Sequence, residues 1–251
     1  MAFSAEEVER YARHLVLKEL GGPGQQRLAA ATVALVGLGG LGGPAALYLA
    51  AAGVGRLRLI DDDRVGLSNL QRQVLFATAE VGRPKVAAGA AALARLNPHA
   101  QCEAMSERLT PETADRLLAG ADLVLDGSDS FATRLAVNAA CQRLRLRLVS
   151  GAVGRWSGQL GVFGPGGPCY ACLVGEAPAE AEACAAVGEV GALTGVIGAA
   201  MALEAIKLIT GAGAPLLGRL LLYEGLAGEA RVIRLPRDPA CPVCARPDVQ
   251  D

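Results

Sequence analysis

The chain has 251 residues, of which 52% are hydrophobic and 20% charged, with a formal net charge of -1. That length buries a sizeable core, and the balanced charge gives no electrostatic case for nucleic acid or an anionic membrane as partner. No run of about 20 apolar residues escapes charges or helix breakers, so no membrane span is expected, and the opening MAFSAEEVER lacks the basic start and apolar run of a secretory signal.

Ser4-Ala-Glu-Glu7 is a capping box that opens a short amphipathic helix reaching about His14. Thr32 to Val36 is a compact apolar strand, and Gly37-Leu-Gly-Gly-Leu-Gly42 follows it directly. A tightly packed helix runs from Pro44 to Ala52 and stops at Gly53. Leu57 to Ile60 makes a second strand ending in Asp61-Asp62-Asp63. A helix from about Pro84 to Leu96 is stopped by Asn97-Pro98. Leu123 to Leu125 is another buried strand, and Phe131 to Leu144 a further helix. Strands alternating with helices predict a parallel sheet covered on both faces.

After Val149 the pattern changes to short Gly-rich strands, a first cysteine pair and a polar-acidic stretch from Glu176 to Glu189. A helix from about Leu193 to Ile209 and strands near Leu220–Tyr223 and Val232–Leu235 lead to a second cysteine pair. The expected fold is α/β, a Rossmann-like nucleotide-binding fold with a mainly parallel sheet, extended by a C-terminal antiparallel portion and a four-cysteine zinc site. Residues 1–251 are read as one domain, with a nucleotide-binding part to about 150 and a zinc-bearing part from about 151.

The paired cysteines are Cys169 and Cys172 in CYAC and Cys241 and Cys244 in CPVC, with 68 residues between the pairs. Each CxxC presents two sulfurs on one turn, and two such turns complete a tetrahedral thiolate set for Zn²⁺. Four protein ligands leave no open position, so the metal would be structural and clamp the tail to the body. The alternative is four buried or disulfide-bonded thiols. Seven cysteines, an odd number, fit a reducing cytoplasm. Cys102 and Cys141 read as core thiols.

GLGGLG between a strand and a helix is the setting of a nucleotide-phosphate site: glycines admit phosphate oxygens to the backbone, and the helix start supplies N–H donors. Asp61, 24 residues after Gly37, closes the next strand and can accept bonds from ribose hydroxyls. This much does not separate NAD from ATP. Asn69, Arg72 and Gln73 follow in LSNLQRQ, Lys85 opens the next helix, and Asp129 follows the strand ending at Asp126. Hydride transfer needs no cluster of cations at the phosphates, whereas phosphoanhydride cleavage does. Arg72 and Lys85 suit that charge, and Asp129 suits Mg²⁺; each alone would read as a solvated surface group.

These stretches, with RYARHLVL, VGRPK, LDGSD and GVIGAAMALEAIK, run in order from Arg10 to Cys244 and resemble the MoeB/ThiF family, bacterial relatives of ubiquitin-activating enzymes. The resemblance implies Mg-ATP-dependent adenylation of the C-terminal glycine of a small ubiquitin-fold sulfur-carrier protein ending in Gly-Gly, with release of pyrophosphate. It assigns the nucleotide loop to Gly37, Gly39, Gly40 and Gly42 and the ribose to Asp61. It places Asn69, Arg72, Gln73 and Lys85 around the phosphates and Asp129 at the magnesium. Arg13 resembles an arginine that reaches ATP in the opposite subunit, which implies a homodimer.

Cys184 resembles a family cysteine that bonds covalently to the carrier in ThiF-like proteins and is dispensable in MoeB-like ones. Its flanks, AEACAAVGE, offer no Lys or Arg to lower its pKa, and both roles stay open. Ser130 stands where relatives often have Asn, and His14 where Gln is common. His99 reads as a turn residue. Trp156 in GRWSG reads either as a channel wall or as a packed strand aromatic. Seven residues follow Cys244, so sulfur is expected from a separate protein. Two other readings compete: a nicotinamide-dependent oxidoreductase, which lacks a recognisable catalytic tyrosine, histidine or substrate domain, and a silent zinc scaffold for a ubiquitin-fold partner.

Overall fold

Two apolar stripes alternate along the central strands and explain the architecture. In β1 (Thr32–Val36), Val33 and Leu35 face one hydrophobic cluster while Ala34 and Val36 face another. Side chains of successive strand residues point to opposite faces, so both faces must be covered. The computed structural model describes residues 3–175 and 188–245.

In it, β1 pairs in parallel with β2 (Arg56–Ile60) and, on its other side, with β4 (Leu123–Asp126). Outside these lie β3 (Gln101–Met105) and β5 (Arg147–Gly154), also parallel, giving the order β3-β2-β1-β4-β5. The same sheet continues antiparallel through β6 (Ser157–Phe163), β7 (Arg219–Glu224) and β8 (Glu229–Arg234). The expected parallel core and antiparallel extension are therefore both present, in one eight-stranded sheet.

The helices are α1 (Ala5–Arg10), α2 (Ala12–Leu15), α3 (Gly21–Ala30), α4 (Gly42–Ala52), α5 (Lys85–Leu96), α6 (Ala114–Leu118), α7 (Phe131–Arg143), α8 (Tyr170–Val174) and α9 (Gly191–Thr210). One cluster gathers Leu49 of α4, Leu93 of α5 and Ile197 and Met201 of α9 against the sheet, and the opposite cluster gathers Leu117 of α6 and Val137 and Cys141 of α7. By length and composition α9 could cross a membrane; here it packs against α3, α4, β5 and β6.

Three local readings differ from the structure. The first helix does not run on to His14 but breaks at Tyr11, whose buried ring turns onto Gly53 and whose hydroxyl accepts from Asn97 Nδ2 at 2.9 Å. The last strand is Glu229–Arg234 rather than Val232–Leu235. Trp156 is not a packed strand aromatic: it is exposed at the two-residue turn between β5 and β6.

The order of strands reverses between β1 and β4, and the loops after these two strands part to form a crevice at their C-terminal ends. The loop after β1 is closed by contact. A Cβ on Gly42 would lie 1.8 Å from the Gly37 carbonyl oxygen, and Gly37 itself has φ 81 with Gly127 packed against it. Gly42→Ala therefore forces the loop backbone apart. We expect a loss of roughly 3 kcal/mol in urea unfolding; an unchanged midpoint would show that the loop yields freely.

Candidate functional site

The crevice is a cavity of about 640 Å³, and it collects Gly37, Gly39, Gly40, Asp61, Arg72, Gln73, Lys85 and Asp129 from separate stretches of chain. Each arrives by a different local device. Gly40 lies against Thr194 of α9, where an added Cβ would meet the threonine side chain at 3.0 Å. Asp61 directly follows β2; its Oδ2 accepts from the Leu38 N–H at 2.7 Å and its Oδ1 from the Asp63 N–H at 2.9 Å. The carboxylate thus braces the glycine loop while lining the cavity. Burial pushes its pKa up, against the pull of Lys85 and of the two N–H donors.

Lys85 is the first residue of α5 and is buried, with its Nζ 2.9 Å from Asp63 Oδ2. Arg72 and Gln73 stand on a turn made by Asn69, whose carbonyl accepts from both of their N–H groups at 3.0 and 2.9 Å. Asn69 itself does not line the cavity. Gly42 does not line it either and closes the loop instead. Gln73 is buried, and its Oε1 has no hydrogen-bond partner among the described residues, which leaves an acceptor for a donor on whatever fills the cavity.

Asp126 and Asp129 divide their work. Asp126 is fully buried; its Oδ1 accepts from the Ser128 N–H and hydroxyl at 3.0 and 2.6 Å, and its Oδ2 from the Ser150 hydroxyl at 3.2 Å. It shapes the turn. Asp129 stands exposed on that turn and opens to the cavity, where its oxygens suit a hard divalent cation. Ser130 then N-caps α7, accepting from the Thr133 N–H at 3.5 Å. Arg13 lies exposed on α2, outside the cavity, and Cys184 lies outside the described residues.

The sequence reading missed three cations and two anions of this site: Arg108, Arg134, Arg155, Glu107 and Glu189. Arg134 is buried on α7, donates to the Ser128 carbonyl, lies close to Tyr170, and makes no ion pair among the described residues. In the sequence it looks like a helix's polar face; only the approach of Tyr170 shows that it points inward. A buried guanidinium without a carboxylate partner suits an anion in the cavity.

Further along α7, the sulfurs of Cys169, Cys172, Cys241 and Cys244 lie within 4.8 Å of one another. Adjacent pairs are 3.5, 3.5 and 3.9 Å apart. A tetrahedral zinc with bonds of about 2.3 Å has ligand edges of about 3.8 Å, so the donor set fits the metal. Burial raises the Cys169 thiol and pushes Cys172 up to about 11. Cys244 is lowered: burial would raise it, but hydrogen bonds with Cys172, Arg237 and Cys241 outweigh that.

Fold and crevice together define an α/β protein with a Rossmann-like parallel core whose cavity sets cations beside a glycine loop. A model of the ThiF family matches residues 11–243, and the chain belongs to that family. It is 45% identical to the sulfur carrier protein adenylyltransferase of Thermus thermophilus, over 97% of this chain and 93% of the relative. It is also 45% identical to the sulfur carrier protein ThiS adenylyltransferase of Escherichia coli, over 94% of each. Among solved structures, Escherichia coli MccB with ATP superposes with a TM-score of 0.79 at 25% identity, covering 89% of this chain and 70% of that one.

Proposed function

We propose that this chain adenylates the C-terminal glycine carboxylate of a small ubiquitin-fold sulfur-carrier protein, MoaD- or ThiS-like, consuming ATP and releasing pyrophosphate. The carrying observation is that the glycine loop, Arg72, Lys85 and Asp129 meet in one cavity of a chain so close to two named carrier adenylyltransferases. Those relatives favour this reading over an oxidoreductase or a silent scaffold.

The carrier's carboxylate is ionised at neutral pH, so it needs no general base. Its oxygen attacks the α-phosphorus in line, the bond to the bridging oxygen breaks, and pyrophosphate leaves with that electron pair. The barrier is repulsion between two anions. Arg72 and Lys85 lower it from the phosphate side, and buried Arg134 does so from the side of α7. Asp129 would hold Mg²⁺, which supplies charge neutralisation on the phosphates when bound. The four cysteines would hold zinc as a structural clamp.

Residues 1–251 act as one adenylating unit, with the region from about 151 meeting the carrier's Gly-Gly tail. The exposed apolar side chains Val16, Leu17, Tyr48, Val196 and Leu203 lie on or beside helices that pack together, which supports a homodimer through which Arg13 reaches a partner's nucleotide. The free thiols Cys102 and Cys141 fit a cytoplasmic enzyme.

Incubation of the chain with ATP, magnesium, labelled pyrophosphate and a Gly-Gly-ended carrier is expected to give labelled ATP only when the carrier is present. No label in ATP with a folded carrier removes the proposal.

A further inference from the structure

The most constrained ion pair in the cavity joins two distant stretches of chain. Arg72 Nε lies 2.6 Å from Glu189 Oε1, both side chains about three-quarters buried, at 27% and 24% exposure. Glu189 is held by main chain on either side. The Arg155 N–H donates to the Gly188 carbonyl at 3.0 Å, and the Val190 N–H donates to the Arg155 carbonyl at 3.1 Å. Arg155 takes a left-handed conformation, φ 52, at this bridge. Two residues on, Gly191 presses against the Arg72 turn so closely that a Cβ would lie 2.2 Å from the Gln71 carbonyl oxygen.

The cavity's other strong pair behaves differently. Asp63, which meets Lys85, has a side chain 63% exposed and can swing into water when a phosphate arrives. Glu189 has less room to leave: its side chain is only 24% exposed, and the main chain on both sides of it is fastened to Arg155. A phosphate that reaches Arg72 must therefore share the guanidinium with a resident carboxylate and bear its repulsion.

Resting on the adenylation reading, we propose that Glu189 is a built-in counter-anion of Arg72 that competes with phosphate, keeping the site's grip on pyrophosphate weak and so favouring release of that product. Glu189 acts through Arg72 and is a positioning residue, not a catalytic one. The isosteric Glu189→Gln removes the competitor's charge while keeping its shape.

The test is calorimetric titration of the full-length chain, in the presence of magnesium, with inorganic pyrophosphate and separately with ATP. Glu189→Gln is expected to bind pyrophosphate about five-fold more tightly than the unaltered chain, the scale of a partly exposed ion pair. Glu189→Asp, which keeps the charge, should stay near the unaltered affinity. In an Arg72→Gln background, Glu189→Gln should change affinity by less than about two-fold, since the cation it guards is gone. Equal or weaker pyrophosphate binding by a folded Glu189→Gln overturns this proposal and leaves the adenylation reading standing. Absence of ATP and pyrophosphate binding in every form, the unaltered chain included, overturns both.

Discussion

Arg72→Ala is expected to lower carrier-dependent ATP–pyrophosphate exchange by about 10²–10³-fold, the cost of removing one preorganised charge donor, while the melting temperature stays close to that of the unaltered chain. The turn under Arg72 is held by two main-chain bonds to the Asn69 carbonyl, to which the guanidinium adds one long bond to the Ser68 carbonyl at 3.4 Å, so the turn survives the substitution. Loss of the cation also leaves Glu189 facing the phosphates with nothing to offset it, which places this variant at the larger end of the range. Asp129→Ala should lose exchange on the same scale, and its exchange should no longer respond to added magnesium. Asp129 is exposed and Asp126 carries the turn, so the fold does not depend on it. Near-normal exchange in either variant would remove that residue from the site.

The second large effect is expected at the cysteine cluster. Cys241→Ser should take bound zinc from about one per chain to near none by elemental analysis, and should expose residues 236–245 to proteolysis while far-ultraviolet circular dichroism of the body is retained. Beyond β8, this segment reaches the body through a cluster holding little besides Cys169, Ala171, Cys172, Cys241, Val243, Cys244 and Ala245. Ordering about ten residues costs on the order of 10–20 kcal/mol, far more than so few small side chains recover. A structural zinc contributes on the order of 10–16 kcal/mol, which matches the need. A protease-resistant tail in zinc-free Cys241→Ser would show that packing suffices.

Much of this was legible in the sequence because local signals and tertiary demands agree there. β1, the glycine loop and α4 follow from an apolar run, a loop too tight for side chains and an alanine-rich helix ended by Gly53, whose φ of 85 makes it the C-cap. The CxxC pairs were legible because thiolate spacing has few other uses. By contrast, α3 reads GGPGQQRLAA, a string of helix breakers; it is helical because Gln25 is buried, donating to the Ala52 carbonyl at 2.8 Å and meeting His14 Nδ1 at 3.0 Å. β3 and α6 were not anticipated, since QCEAM and ADRLL are short and mixed in polarity. Within the site, residues next to glycine or aspartate motifs could be found. Arg134, Arg108, Arg155 and Glu189 could not, because nothing in their own neighbourhoods sets them apart; the sheet's topology carries them to the cavity.

The contact between Gly40 and Thr194 has a bearing on how this protein can change over generations. Loop and long helix there occupy one shared volume, so a methyl gained by the first must be surrendered by the second. Drift at either position is therefore confined by the other, although 153 intervening residues separate them along the chain.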